Sequence, residues 1–257
     1  MTLSSGIRAI ALDVIEEAAR IAHEAERRAL PLRLIGGTAI QLRSRHRLPA
    51  ALHRSPKDID VLIARGVQPE VSELLVESSY VPDEDFNRLE GSRRLLFLDE
   101  QHGRQLDVFV HTFEMCHTLP LADRLLIEPA TLPLSDLALT KLQIVELNPK
   151  DRLDLYALLC AHEVADHDGD AINGARIAQL CGGDWGLWRT CTINLARLRD
   201  GLPESGLDSP DRERVARGVE TLEEMIAVAP KTRRWRMRSR LGDRVRWYET
   251  PDEIRED

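Results

Sequence analysis

The feature that most constrains this chain is the stretch 32–64, which reads LRLIGGTAIQLRSRH, then a loop, then KDIDVLIA. A short apolar run (Leu32, Leu34, Ile35) stops at Gly36-Gly37, and a helix-like segment begins at Thr38. Two glycines between a strand and a helix let the backbone turn tightly and bring a phosphate close to bare N–H groups, where the helix dipole favours an anion. The second apolar run opens with Asp58 and Asp60. Strand side chains alternate faces, so these two carboxylates point together while Ile59 and Val61 face the other way. Adjacent carboxylates repel unless a cation neutralises them, and oxygen-only donors suit Mg²⁺ or Mn²⁺ when substrate phosphates complete the shell.

A third acid comes from RQLDVFV. Residues 95–99 and 106–110 are β-type runs separated by EQHGR, a hairpin spacing with Gly103 as the turn residue. Asp107 is therefore expected on a strand neighbouring the one that carries Asp58 and Asp60. Three acids so placed can hold two cations about 3.5–4 Å apart, the separation that clamps the attacking and leaving oxygens of an in-line phosphoryl or nucleotidyl displacement. Alone, Gly-Gly marks an ordinary turn and Asp-x-Asp a solvated strand start; their joint order beside apolar strands carries the functional reading.

The order Gly-Gly, then Asp-x-Asp, then a lone strand Asp resembles the nucleotidyltransferase superfamily that includes DNA polymerase β. Within it, GGTAIQLRS and SPKDIDVLI are most similar to the AbiEii type of bacterial nucleotidyltransferases, known from type IV toxin–antitoxin pairs. The likeness covers residues 31–159, about half of the chain. The superfamily's usual Gly-Ser reads Gly36-Gly37 here, so the phosphate contact of the missing serine falls to backbone N–H groups or to Thr38. Further along, KLQIVELNPKDRLDL resembles the AbiEii-type lysine motif and the downstream KD-x-x-DL motif. The resemblance implies Lys141 near the nucleotide phosphates and Asp151 or Asp154 as the downstream aspartate. It also implies an NTP substrate, Mg²⁺ or Mn²⁺ on Asp58, Asp60 and Asp107, an RNA acceptor with a tRNA 3′ end foremost, and a cognate antitoxin protein. The implied fold is α+β, a nucleotidyltransferase core of a mixed β-sheet flanked by helices (residues 1–130) followed by a mainly helical C-terminal domain (131–257).

The rest of the chain fits around that core. Residues 7–29 repeat apolar positions with a helical period, which predicts an amphipathic helix with His23 on its surface. The segment 41–57 is basic, and Lys57 and Arg54 are its candidates for meeting a triphosphate. PEVSELLVESS predicts a helix over 69–79 with proline at its start. Two helices are expected over 135–147, capped by Ser135, and 149–162, then helices broken at Gly182-Gly183, and one over 209–229. His162, Glu163, Asp166, His167, Asp168 and Asp170 crowd into nine residues. They predict an exposed acidic loop, with a metal hydrolase centred on His167-Asp168 as the rival. The tail at 231–248 sets eight Lys and Arg against one acid, with Trp235, Trp247 and Tyr248 interleaved. That is the composition of a surface that tracks phosphates and stacks bases; a solvated helix is the plainer alternative.

Composition narrows the classes. A chain of 257 residues, 43% hydrophobic and 30% charged, is globular and long enough for two domains. No run of about eighteen apolar residues occurs, and MTLSSGIR lacks a signal-peptide pattern, so no membrane and a cytoplasmic location are expected. Cys116, Cys160, Cys181 and Cys191 form no Cys-x-x-Cys and predict buried free thiols. A net charge of −8 argues against a nucleic-acid-binding surface over the whole molecule while leaving room for a local basic face. The principal expectation is Mg²⁺-dependent transfer of NMP from an NTP to an acceptor hydroxyl; the alternative is a non-catalytic nucleotide-binding or toxin–antitoxin partner module of the same fold.

Overall fold

A computed structural model describes residues 10–250. The chain forms two compact units, one of Met1–Leu42, Arg54–Phe113 and Pro120–Leu132, the other of Arg43–His53, Glu114–Leu119 and Pro133–Asp257. The segments 43–53 and 114–119 thus group with the C-terminal residues, where the sequence suggested a single division after 130. The α+β organisation, a mixed sheet with helices followed by a mainly helical part, is the one adopted. Among the described residues no helix is long and apolar enough to cross a membrane.

The first unit begins with α1 (Val14–Arg27), followed by β1 (Leu32–Ile35), α2 (Gly36–Ser44, whose last two residues belong to the second unit), β2 (Ile59–Ile63), α3 (Gln68–Glu77), β3 (Val81–Pro82), α4 (Glu84–Glu90), β4 (Arg94–Asp99) and β5 (Arg104–Val110). The five strands form one sheet in the order β1-β2-β5-β4-β3, with β2 and β5 parallel and the other pairs antiparallel. The central strands β2 and β5 are buried along nearly their whole length, which is why they read as continuous apolar runs. The predicted hairpin is present: Asp99 faces Arg104 across a turn in which Gly103 has φ +64°.

Several boundaries differ from the sequence reading. Helix α1 starts at Val14, because the Asp13 side chain accepts from the N–H groups of Ile15 and Glu16 and sets the start there. Residues 7–9 of the expected helix lie outside the described residues, and 10–13 are not helical. Helix α2 begins at Gly36, two residues before Thr38. Asp58 sits one residue ahead of β2. The short elements β3 and α4 offered no periodic signal of their own; Asp83 caps α4 by accepting from Phe86 N–H.

Strands β6 (Thr112–Glu114) and β7 (Thr118–Pro120) carry the chain from the first unit into the second and back. The second unit is a bundle of α5 (Leu134–Leu142), α6 (Pro149–Ala161), α7 (Gly174–Gly183), α8 (Trp185–Gly201), α9 (Ser209–Val228) and α10 (Arg233–Ser239), with a two-stranded ribbon of β8 (Val164–Ala165) and β9 (Ile172–Asn173). The Tyr156 hydroxyl donates to Leu198 O at 2.7 Å, tying α6 to α8. Asn194 Nδ2 donates to the carbonyls of Leu142 and Ile144, closing the C-terminal end of α5. Ser135 is not a cap: α5 starts one residue earlier, after Pro133, and the Ser135 hydroxyl is buried in the helix without a partner among the described residues. Asn148 does cap α6, accepting from Asp151 N–H. All four cysteines are buried and free.

Candidate active site

The site is built where β1 turns into α2. Ile35, the last residue of β1, is paired with Asp60 of β2, and Asp60 is paired with Asp107 of β5 in parallel register. Register partners on neighbouring strands share a face, so the carboxylates of Asp60 and Asp107 lie side by side. Gly36 follows immediately with φ +67°, and a Cβ placed there would lie 2.2 Å from Asp60 Oδ2. Glycine is required twice over, by its backbone conformation and by the approach of the carboxylate. Ile35, Asp60 and Asp107 are therefore in register across three adjacent strands, with Gly36 just past the end of the first and Asp58 exposed one residue ahead of β2, hydrogen-bonded by Gln105 N–H at 3.5 Å.

The electrostatics of this row are unbalanced. Asp107 is only 5% exposed. Burial pushes its pKa above the ordinary carboxylate value, Arg94 pulls the other way, and the nearby Asp58 charge adds to the rise. Arg94 donates from Nε at 2.9 Å and Nη2 at 2.7 Å, both to Asp107 Oδ1, while its guanidinium lies 5.0 Å from the Phe109 ring centroid. Asp107 Oδ2 has no hydrogen-bond partner among the described residues. Arg94 is the residue that sequence reasoning missed. The hairpin register contains the signal: Leu96 is opposite Asp107, so Arg94, two residues earlier on the same face, is its diagonal neighbour.

Whether a divalent cation fits can be judged from the donors. They are right in kind, carboxylate oxygens with one buried acid whose charged form is disfavoured by its surroundings. In arrangement they are incomplete: among the described residues no three His, Cys, Asp or Glu side chains form a group that could hold a metal ion. The positive charge that Asp107 meets is the Arg94 guanidinium.

The remaining candidates are placed as follows. Gly37 and Thr38 lie in the first turn of α2, where backbone N–H groups lack intrahelical partners. The Thr38 hydroxyl is buried and has no hydrogen-bond partner among the described residues, so it does not present itself to a phosphate in this conformation. Lys57 is exposed just before β2. Lys141 belongs to the second unit and is only 13% exposed at its side chain. Its Nζ lies 2.7 Å from Asp151 Oδ1 and 3.2 Å from Asp154 Oδ2, so the structure brings the lysine and both candidate aspartates together. Of the basic loop, Arg43 donates to Gly169 O and Arg47 pairs with Asp170 at 2.7 Å.

The crowded segment 162–170 is not uniformly exposed. His162 is buried, 3.3 Å from the Ser44 hydroxyl and 3.0 Å from Asp170, and burial lowers its pKa. His167, the residue on which a hydrolase reading depends, is exposed with its ring nitrogen on the Asp168 carbonyl.

Comparison with known protein families and with curated proteins finds no match. Among solved structures, the chain is similar to the STING-associated CdnE c-di-GMP synthase from Capnocytophaga granulosa, at 10% identity over 87% of this chain and 84% of that chain, with a TM-score of 0.27. A likeness this slight informs neither the fold nor the function.

Proposed function

We propose that the chain is a nucleotidyltransferase that moves NMP from an NTP to an acceptor hydroxyl, with RNA as the favoured acceptor. The observation that carries the reading is the register that sets Asp60 opposite Asp107, with the Gly36 turn pressed against Asp60. In the reaction the acceptor oxygen bonds to the α-phosphorus, the bond from that phosphorus to the β-bridging oxygen breaks, and pyrophosphate leaves. Asp58, Asp60 and Asp107 are the residues that would hold Mg²⁺ or Mn²⁺. Such a cation supplies Lewis-acid chemistry, lowering the pKa of the attacking hydroxyl and offsetting charge on the phosphoryl oxygens. The N–H groups of Gly36, Gly37 and Thr38 would receive phosphate oxygens at the start of α2, with Lys57 as an exposed cation for the same anion. From the resemblance, Lys141 carries over as the lysine for the nucleotide phosphates, with Asp151 and Asp154 fixing its ammonium group. A tRNA 3′ end as acceptor and a cognate antitoxin as partner belong to the same reading and rest on the resemblance alone.

A second reading is favoured by one observation, the Arg94 guanidinium seated on Asp107. It is that the module binds a nucleotide or a partner protein without turnover, the arginine standing where catalysis needs a metal charge. Incubation with each labelled NTP, Mg²⁺ or Mn²⁺ and total RNA separates the two. Label transferred to RNA by the wild type and lost in Asp58→Ala supports the enzyme; Asp58 is exposed, so its replacement leaves the fold intact. Tight NTP binding with no transfer to RNA, protein or small hydroxyl acceptors supports the second reading.

A further inference from the structure

The C-terminal segment 231–248 carries net +7 in a chain of net −8, so the rest of the protein carries −15. Within the second unit, three groups of side chains determine what this segment can bind. The two tryptophans point inward: Trp235 packs edge-on against Trp188 at 5.2 Å and Trp247 against Trp185 at 6.0 Å, while Trp247 Nε1 donates to the Thr190 hydroxyl. Arg238 is also used internally, stacked 4.4 Å over Trp185 and donating to the carbonyls of Gly242 and Val245. Asp243, the one acid of the segment, is clasped by both donors of Arg189 from α8. Outward, beside the exposed Met237, Leu241 and Val245, the charge that remains is cationic. Arg233, Arg234, Arg236, Arg240 and Arg244 are exposed, and their guanidinium groups make no hydrogen bond or ion pair among the described residues.

We infer that this segment is a binding surface for single-stranded RNA that reads the phosphate backbone and not the bases. Arg233, Arg236 and Arg240 follow one another at helical spacing on one face and span roughly 10 Å. The tryptophan cluster anchors the segment to the helical unit, so these charges are presented from a fixed platform. Base stacking, expected from the interleaved aromatics in the sequence, is disfavoured because Trp235 and Trp247 are packed against Trp188 and Trp185, and Tyr248 is held between Trp247 and the Arg246 guanidinium. A membrane surface fits less well despite the exposed Met237, Leu241 and Val245, because the tryptophans that would enter a bilayer interface are turned into the protein. The choice of RNA over another polyanion rests on the nucleotidyl-transfer reading above.

The test is fluorescence anisotropy of a labelled single-stranded RNA with the full chain and no NTP. Five phosphate contacts predict a log–log salt slope near −3.5, a loss on the order of 100-fold in affinity between about 50 and 200 mM salt. Homopolymers of different base should bind within about threefold of one another, since stacking and edge contacts are absent. A variant with all five arginines changed to glutamine should lose at least about tenfold in affinity and most of the slope, with its circular dichroism unchanged. Wild-type affinity and slope in that variant would overturn the proposal, as would preferential capture by vesicles of anionic lipid in competition with RNA. The two inferences fail separately. Asp58→Ala should still bind RNA, and a chain that transfers NMP to RNA through another surface would keep that activity in the five-arginine variant.

Discussion

Two clusters of charge, one on the sheet and one in the helical bundle, solve opposite problems. In the bundle, the Lys141 ammonium is shared between Asp151 and Asp154, and each buried charge has a partner within 3.2 Å. On the sheet, Asp60 lies against the Gly36 turn and Asp107 stands opposite it in register; Asp107 meets the Arg94 guanidinium, yet burial leaves its pKa raised. The sheet itself supplies a control. Asp99, fully buried on the same hairpin, also suffers from burial, but hydrogen bonds from Arg104 and His102 outweigh it and hold its pKa below the ordinary value. The two buried carboxylates of this hairpin thus differ in the direction of their shift, Asp99 lowered and Asp107 raised. A carboxylate whose charged form is disfavoured by its surroundings is one that an added cation would stabilise.

The sharpest way to break this contrast is to remove the lysine. Lys141→Ala takes from Asp151 and Asp154 the ammonium group that lies 2.7 and 3.2 Å from them, and the Asp154 side chain has no exposure at all. We expect a loss of about 3–5 kcal/mol of stability, read as a lowered midpoint in urea. A loss under about 1 kcal/mol would mean that the cluster is not satisfied by Lys141 and that the comparison is misdrawn.

Gly36→Ala should come next. The substitution places a methyl group 2.2 Å from Asp60 Oδ2 at φ +67°, a conformation that costs a non-glycine residue about 1–2 kcal/mol before the clash is counted. The expected outcome is about 2–3 kcal/mol of destabilisation together with loss of nucleotidyl transfer, because Asp60 must move. Full activity in a folded Gly36→Ala would remove the turn from the site.

Arg94→Ala should have a smaller effect, about 1–2 kcal/mol, because the guanidinium is 29% exposed and partly screened by water. Its value lies in the sign of the cation effect. If Asp107 belongs to a metal site, Mn²⁺ should raise the melting temperature of Arg94→Ala more than that of the wild type. An equal rise in both would detach Asp107 from the cation.

These residues also show how far the sequence could be read. The placement of Gly36 at a turn and of Asp60 and Asp107 on neighbouring strands was legible because each announces itself locally, as a turn or a polar position in an apolar strand, and strand alternation fixes which way a strand residue points; Asp58, expected on the strand, lies one residue ahead of it. Arg94 required the hairpin register as well, which Gly103 sets but which a motif search does not use. Ser135 misled for a different reason: α5 is buried on nearly every side, so Pro133 starts it and the serine is carried into the interior. His162 was hidden in a run of acids, because the contact it makes with Ser44, more than a hundred residues earlier, is not visible locally. In the tail the charges were legible and the orientation of Trp235 and Trp247 was not, because an aromatic between arginines packs inward or outward according to what the bundle offers it.

The smallest expected effect tests the comparison most directly, because it asks for opposite signs from two aspartates on one hairpin. The folded pKa of Asp107 lies above its ordinary value of 3.8, so as pH rises through that window the native state keeps a proton that the unfolded chain has lost. Stability falls as pH rises, and the deficit persists above the folded pKa. Asp107→Asn removes the deficit, so in the absence of divalent cation the variant should be at least as stable as the wild type near pH 7, while losing nucleotidyl transfer. For Asp99 the folded pKa is lowered, so its contribution is present above 3.8 and lost as pH falls. Asp99→Asn should therefore be destabilised near pH 7 and should approach the wild type only in acid. Urea midpoints of the three proteins from about pH 3 to 7 give the answer, and parallel curves for the two variants would erase the distinction between a carboxylate kept for structure and one kept for a ligand.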